Sequence, residues 1–174
     1  MKKPAGRSKA YEFRAVEPDD LPLLAEWLRQ PHLLEWWGKA DTALAEIMAA
    51  MEDVAIEPLI VELDGQPIAY LQTYDPHLED DHPYSDQPFG TLGVDVSIGP
   101  AEYLGKGHGS SLLRQFTDQL FAEGAPRVII DPHPENARAI RAYTKAGFQS
   151  VEERDTRFGR VLLMARDNDD EDFE

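Results

Sequence analysis

The chain has 174 residues, enough for one domain with a full core. It contains no cysteine, which excludes structural disulfides, a thiolate metal site and a covalent acyl-cysteine, and fits a reducing, cytoplasmic setting. Its formal charge of −16 argues against nucleic acid or an anionic membrane as partner and favours a cationic ligand; six of the 33 acids lie after Arg166, and the other 27 still outnumber 17 bases.

Residues 1–10 are polar and basic, carry Pro4 and Gly6, lack the apolar stretch of a signal peptide, and predict a disordered end. No apolar run approaches the ~20 residues of a membrane helix. From Tyr11 to Val16 apolar and polar residues alternate, which predicts a first strand. Asp19 or Asp20 can cap a helix carrying Leu21, Leu24 and Leu28 on one face, and Pro31 breaks it. His32 to Gly38 is a short helix or turn. Asp41 or Thr42 caps a third helix with Leu44, Ile47, Met48 and Met51 inward. Leu59–Leu63 and Ile68–Tyr74 form a hairpin around Asp64-Gly65-Gln66-Pro67. Asp75 to Gly90, with its acids, three prolines and two histidines, is loop.

Leu92–Ile98 is a further strand, ended by Gly99-Pro100. A helix over Ser110–Glu123 buries Leu112, Leu113, Phe116, Leu120 and Phe121. Arg127–Ile130 is a strand, and Asp131-Pro132-His133-Pro134 is a rigid turn into a helix over Glu135–Ala146 that Gly147 stops. Phe148–Glu152 and Arg160–Met164 are the last strands, around a turn at Thr156–Gly159. Residues 167–174 predict an acidic disordered end, leaving 11–166 as one domain without internal repeats.

The chemistry concentrates in Leu104-Gly105-Lys106-Gly107-His108-Gly109-Ser110. A strand, a glycine-rich loop and a helix N-terminus make an anion cradle: glycine lets the backbone approach a ligand, and N–H groups and the helix dipole face it. A phosphate or pyrophosphate suits that cradle. It is neither a Walker loop, because Gly107 follows Lys106 where Ser or Thr is needed, nor a dinucleotide fingerprint, because one residue precedes its last glycine instead of two. On the loop alone, a plain strand–helix connection fits as well.

A second segment, Asn136-Ala137-Arg138-Ala139-Ile140-Arg141-Ala142-Tyr143-Thr144-Lys145-Ala146-Gly147-Phe148, adds to it. Together the two resemble the acyl-coenzyme A-binding core of the GNAT acetyltransferases. That pattern is Arg/Gln-x-x-Gly-x-Gly/Ala followed by Asn-x-x-Ala-x-x-x-Tyr-x-x-x-Gly-Phe. It matches at Gly107, Gly109, Asn136, Ala139, Tyr143, Gly147 and Phe148, and departs from it at Leu104. The element order β-α-α-α-β-β-β-α-β-α-β-β fits the same α+β GNAT fold, a mixed, mostly antiparallel sheet flanked by helices and splayed at the acetyl-CoA site.

The resemblance implies roles. The pyrophosphate would sit on N–H groups of Leu104, Gly105, Lys106, Gly107, His108, Gly109 and Ser110, with Lys106 adding charge. The pantetheine arm would pair with the strand holding Val96 and Ile98. Asn136 would contact it or the adjacent helix end, beside Ala139. Tyr143 would assist the leaving thiolate; otherwise it is a core tyrosine. No metal is expected.

The acceptor must attack as a free amine, and a nearby carboxylate can hold the ammonium form and then take a proton, directly or through water. Asp95 fits, because a mid-strand carboxylate is costly unless it faces a pocket; the alternative is a surface residue paired to a base. Asp131 ends the neighbouring strand, although Asp before Pro is also an ordinary turn residue. His133 could be a base, but between prolines it reads as a turn. Trp36 and Trp37 are adjacent, so one points inward and the other can wall a pocket with Tyr74. Asp75, Glu79, Asp80 and Asp81 form a carboxylate rim or a solvated loop.

Pro31-His32-Leu33-Leu34-Glu35-Trp36-Trp37-Gly38, Gly93-Val94-Asp95 and Asp131-Pro132-x-Pro134-x-Asn136 look like the aminoglycoside 6′-N-acetyltransferases. In that family the aspartates matching Asp95 and Asp131 hold the drug's amines. A sister family that acetylates hydroxylysine in siderophore assembly shares Gly-Pro-x-x-Tyr-Leu-Gly-Lys-Gly, found here at 99–107, but has histidine where this chain has Asp95. A non-catalytic acyl-CoA-binding module is the third alternative. The sequence leaves the oligomeric state open.

Overall fold

A computed structural model describes residues 10–169 and contains the twelve expected elements in the expected order. They are β1 (Tyr11–Ala15), α1 (Leu21–Leu28), α2 (Pro31–Trp37), α3 (Ala40–Ala50), β2 (Ile56–Leu63), β3 (Gln66–Tyr74), β4 (Leu92–Ile98), α4 (His108–Ala122), β5 (Arg127–Ile130), α5 (Ala137–Lys145), β6 (Gln149–Thr156) and β7 (Gly159–Asp167). The strands form one sheet in the order β1-β2-β3-β4-β5-β7-β6, antiparallel except between β4 and β5. That parallel pair follows from its connection: α4 crosses over between the two strands, whereas the hairpins reverse the chain directly.

Alternation along the strands sorts side chains to two cores. Leu59, Val61, Leu71 and Val94 pack with Leu112, Leu113 and Phe116 of α4. Ile60 and Tyr70, one residue out of phase, pack with Leu24, Trp27, Leu28, Leu33 and Ile47 of α1, α2 and α3 on the opposite face. The β2–β3 turn is tighter than expected. Asp64 and Gly65 alone make it, both at positive φ (54° and 79°), and Gln66 and Pro67 already belong to β3.

The feature that makes the site is a splay. β4 pairs with β3 along its length from Gly93 to Ile98, but with β5 only at Leu92↔Val128 and Gly93↔Ile129. The strands therefore part straight after Gly93, well before Gly99-Pro100. Gly93 is also where the Tyr74 ring lies across β4: a Cβ built there would fall 2.0 Å from that ring.

Several local expectations are corrected. Asp20 does not cap α1 with its side chain; its carboxylate takes the Arg14 guanidinium and the Glu17 N–H. Neither Asp41 nor Thr42 starts α3, because Lys39 is its N-cap. With that start, Ala43, Ile47 and Ala50 face the core, Leu44 and Met51 lie at its edge and Met48 is exposed. At the C-terminal end β7 runs through Asp167, whose carboxylate pairs with Arg127, and the buried Asn168 amide donates to the Phe121 and Ala125 carbonyls. The expected tail therefore does not begin at 167. The expected disorder of 1–9 and 170–174 lies outside the described residues.

Candidate active site

The cradle is built as a helix start. Gly105 and Gly107 lie at φ 72° and 83°, where a side chain is strained, and a Cβ at either would meet nothing within 4 Å. The backbone can thus bend tightly and stay open to a ligand. The first helical bond of α4 runs from the Ser111 N–H to the Gly107 carbonyl, so the N–H groups of 108–110 precede the ladder. Leu104 does not contribute as expected, because its N–H is held by the Ala101 carbonyl at 3.0 Å. The cradle is therefore 105–110. His108 offers it only backbone: its ring is buried between Tyr103 and Tyr11, with Nδ1 2.8 Å from the Tyr11 hydroxyl. Lys106 is exposed and outside the cleft lining. Of the cations lining the cleft, Arg157 and Arg160 are paired with acids, whereas Arg138, Arg141 and Lys145, on one helical face of α5, have no acidic partner among the described residues.

The edge of β4 supplies the next part. The Gly99 N–H bonds the Ile68 carbonyl, so backbone groups at 95, 97 and 99 face β3 and those of Val94, Val96 and Ile98 face the side β5 has left. The side chains of Val96 and Ile98 pack on the main core, so what these residues present to the splay is backbone. The Ile98 carbonyl is already used: Nε2 of His32 donates to it at 2.8 Å, tying α2 to β4. On α5, Asn136 caps the helix by accepting the Ala139 N–H at 3.2 Å.

Tyr143 projects from α5 into the cleft. Burial, then the charges of Asp95 and Asp131, raise its pKa well above that of a free phenol, so it stays protonated.

On the opposite face of the sheet, Tyr70, Gln72, Tyr74, Asp95 and Ser97 share one side of β3 and β4. Gln72 sits directly across from Asp95 and donates Nε2 to its Oδ2 at 3.0 Å, while Tyr70 donates to the Gln72 Oε1 at 2.6 Å. This relay orients the carboxyl. Asp131, at the end of β5, accepts the Tyr84 hydroxyl at 2.5 Å. Both carboxyls keep access to the cleft while protein surrounds most of each. Burial is the largest cause that raises them, Asp95 to about 6 and Asp131 to about 7, and the charge of Asp95 adds to the rise at Asp131.

Both halves open into one cleft of about 1560 Å³. Trp37 turns inward onto Tyr70 (ring centroids 5.9 Å apart), and Trp36 remains 37% exposed, 5.5 Å from the His133 ring. His133 behaves as a turn residue, its Nδ1 accepting the Glu135 N–H. Asp75 caps the short turn at Pro76–Leu78. Glu79 pairs with Arg157, so it is not a free rim carboxylate. The 75–90 loop is pinned further by Arg154, which holds Asp86 and the Pro83 carbonyl and lies over the Tyr84 ring.

Sequence reasoning missed Tyr84, His32 and the α5 cations. The last were readable from their helical spacing; the other two have partners 47 and 66 residues away and leave no local signal.

A strand edge left open beside an anion cradle, with a protonated tyrosine on one side and a carboxyl pair on the other, defines an acyl-CoA-dependent acetyltransferase. The family model described as acetyltransferase (GNAT) domain matches residues 17–156, and the chain belongs to that family. Within it, the chain is 35% identical over 146 residues to aminoglycoside N(6′)-acetyltransferase type 1 of Klebsiella pneumoniae, covering 79% of this chain and 73% of that protein. The solved structure of AAC(6′)-Ib in complex with paromomycin and acetyl-CoA superposes with a TM-score of 0.84 at 30% identity, covering 94% of this chain and 96% of that one. Lysine N-acyltransferase MbtK of Mycobacterium tuberculosis is 29% identical over 161 residues, covering 89% and 76%. Among the described residues, no helix is long and apolar enough to cross a membrane.

Proposed function

We propose that this enzyme transfers the acetyl group of acetyl-CoA directly to the 6′-amine of an aminoglycoside, in the cytoplasm, with Asp95 and Asp131 holding the acceptor. The observation that carries the reading is the carboxyl pair. Two like-charged groups, each raised by burial, face one cleft between aromatic walls, and a cationic guest offsets the cost of ionising them. The names of the relatives supply the drug class and the position.

Acetyl-CoA brings an acetyl group activated as a thioester. The chain's own groups do the rest. N–H groups of 105–110, with Arg138, Arg141 and Lys145 nearby, hold its phosphates. The open edge of β4 pairs with its amides. Asp95, held by Gln72, binds the ammonium and takes its proton directly or through water, which frees the nitrogen lone pair to form the C–N bond. As the C–S bond breaks, the Tyr143 hydroxyl donates to the departing sulfur. Asp131 and Trp36 hold the rest of the acceptor. With no cysteine in the chain, no acetyl-cysteine intermediate intervenes, and transfer proceeds in a ternary complex.

A second reading, acetylation of hydroxylysine, has the likeness to a lysine N-acyltransferase behind it. The histidine that family carries is Asp95 here, which favours the first. A thiol-release screen with acetyl-CoA against aminoglycosides, hydroxylysine, lysine, polyamines and peptides separates them. The highest kcat/KM is expected with aminoglycosides. Turnover of hydroxylysine alone would replace the first reading with the second, and coenzyme A binding without any turnover would reduce the chain to a binding module.

A further inference from the structure

The 75–90 loop carries a group that the chemistry above does not use. Tyr84 is fully buried, yet its hydroxyl ends on Oδ2 of Asp131 at 2.5 Å. The loop that delivers it is tied to β6 from outside. Arg154 grips the Asp86 carboxylate with both Nη groups, takes the Pro83 carbonyl, and lies 5.6 Å from the Tyr84 ring centroid. Tyr84 also packs against Ile129, Val161 and Leu163 from β5 and β7. A loop segment that is acidic and proline-rich in sequence thus places one phenol against one acceptor carboxyl.

We propose that Tyr84 is a positioning residue for the acceptor: it holds one oxygen of Asp131 in a fixed hydrogen bond and leaves the other to receive a single ammonium. The proposal rests on the reading of Asp131 as an acceptor-binding group. A carboxyl at the end of a strand, just before Pro132, would otherwise rotate about its side-chain torsions. A donor from a rigidly anchored ring fixes it at little entropic cost on binding. The bond also favours the charged form, opposing the burial that raises this group.

The other groups facing Asp131 are Asp95 from β4, which raises it, and the neutral phenols of Tyr74 from β3 and Tyr143 from α5. Behind Tyr84 stand the Arg154 guanidinium and the neutral-leaning ring of His82. His133 follows two residues on in the same turn and is engaged with the Glu135 N–H. Tyr84 is the side chain that donates a hydrogen bond to the Asp131 carboxyl.

Tyr84→Phe keeps the ring and removes the donor. It should raise the acceptor KM by about tenfold at neutral pH, leaving the coenzyme A affinity unchanged. The loss should shrink at alkaline pH, where Asp131 ionises without help, so the pH midpoint of acceptor KM moves upward. In an Asp131→Asn background the same substitution should do nearly nothing, since the two act through one bond. A wild-type pH profile in Tyr84→Phe, or an equal penalty with and without Asp131, would overturn the proposal. An unchanged KM in Asp131→Asn alone would remove the acceptor role of Asp131, and this proposal with it. Should Tyr84→Phe melt below the assay temperature, Asp86→Asn, which loosens the loop without touching the cleft, carries the test; it should raise acceptor KM in the same direction, and wild-type kinetics there would overturn the claim.

Discussion

The two halves of the cleft are made of different material. The cofactor half is backbone: N–H groups of 105–110, the bare edge of β4 and the start of α4, with side chains supplying only diffuse positive charge. The acceptor half is side chains: Asp95, Asp131, Gln72, Tyr74, Trp36 and Trp37, drawn from β3, β4 and the ends of β5 and α2, with Tyr84 of a long loop buried behind Asp131. One half stores no charge that a ligand must relieve. The other holds two carboxyls kept well above their ordinary range by burial and, at Asp131, also by the charge of Asp95. On the function proposed above, the ligand common to every cycle is held by geometry, and the acceptor is selected by charge that is costly until it arrives.

The sharpest way to break this comparison is Asp95→Asn. It removes both the ammonium's partner and the base, so kcat/KM should fall by ~10³-fold or more, with coenzyme A affinity in calorimetry nearly intact. Tyr143→Phe comes next. It should lower kcat by about 10²-fold, the lower end of general-acid effects, while both ligands still bind. Wild-type turnover in that variant would return Tyr143 to a packing role.

Gly107→Val strikes the other half. A β-branched residue at φ 83° is strained, and its side chain fills the cradle. Coenzyme A affinity should drop at least about tenfold, ~1.4 kcal/mol, while the acceptor KM at saturating acetyl-CoA stays put. Equal damage to both ligands would mean the halves are not separable.

The pH dependence sharpens the contrast further. Acceptor KM should fall as pH rises through about 6 to 7, because both carboxyls ionise there, and the coenzyme A dissociation constant should stay flat over that range. Stability runs the opposite way. A carboxyl whose folded pKa is raised favours its neutral form in the fold, so its contribution is fully present below its ordinary range near ~4 and is lost as pH rises through the folded value. Asp131→Asn should therefore melt a few degrees higher than the parent at alkaline pH, with the gap closing in acid. It should bind the acceptor about tenfold more weakly. The smallest expected effect is Asn136→Ala, which deletes the α5 cap for about 1 kcal/mol of stability with little kinetic change.

The same division decided what was legible in the sequence. Backbone geometry constrains residue type, so glycines at 105, 107 and 109 ahead of an amphipathic helix announced the cradle. A carboxylate between Val94 and Val96 announced a pocket, because a mid-strand Asp needs one. The first strand was readable from its alternation, and β4 and β5 fall where their apolar runs put them. The failures are long-range. The inner face of α3 was assigned to Leu44, Ile47, Met48 and Met51, but a start at Ala40 turns the small Ala43 and Ala50 inward beside Ile47 and leaves Met48 exposed. Asp167 read as the start of an acidic tail because its partner, Arg127, lies 40 residues away. Tyr84 and His32 were invisible for the same reason: nothing beside them in sequence records the carboxyl or carbonyl they meet.

The central claim is that the carboxyl pair holds a cationic amine at the place of transfer. Its most direct test is thiol release from acetyl-CoA with two aminoglycosides that differ only in carrying an amine or a hydroxyl at the 6′ position. The account predicts rapid turnover of the 6′-amine, with the acetyl group on that nitrogen in the product, and little or no turnover of the hydroxyl analogue. Equal rates for the two, or acetylation at another amine, would contradict it.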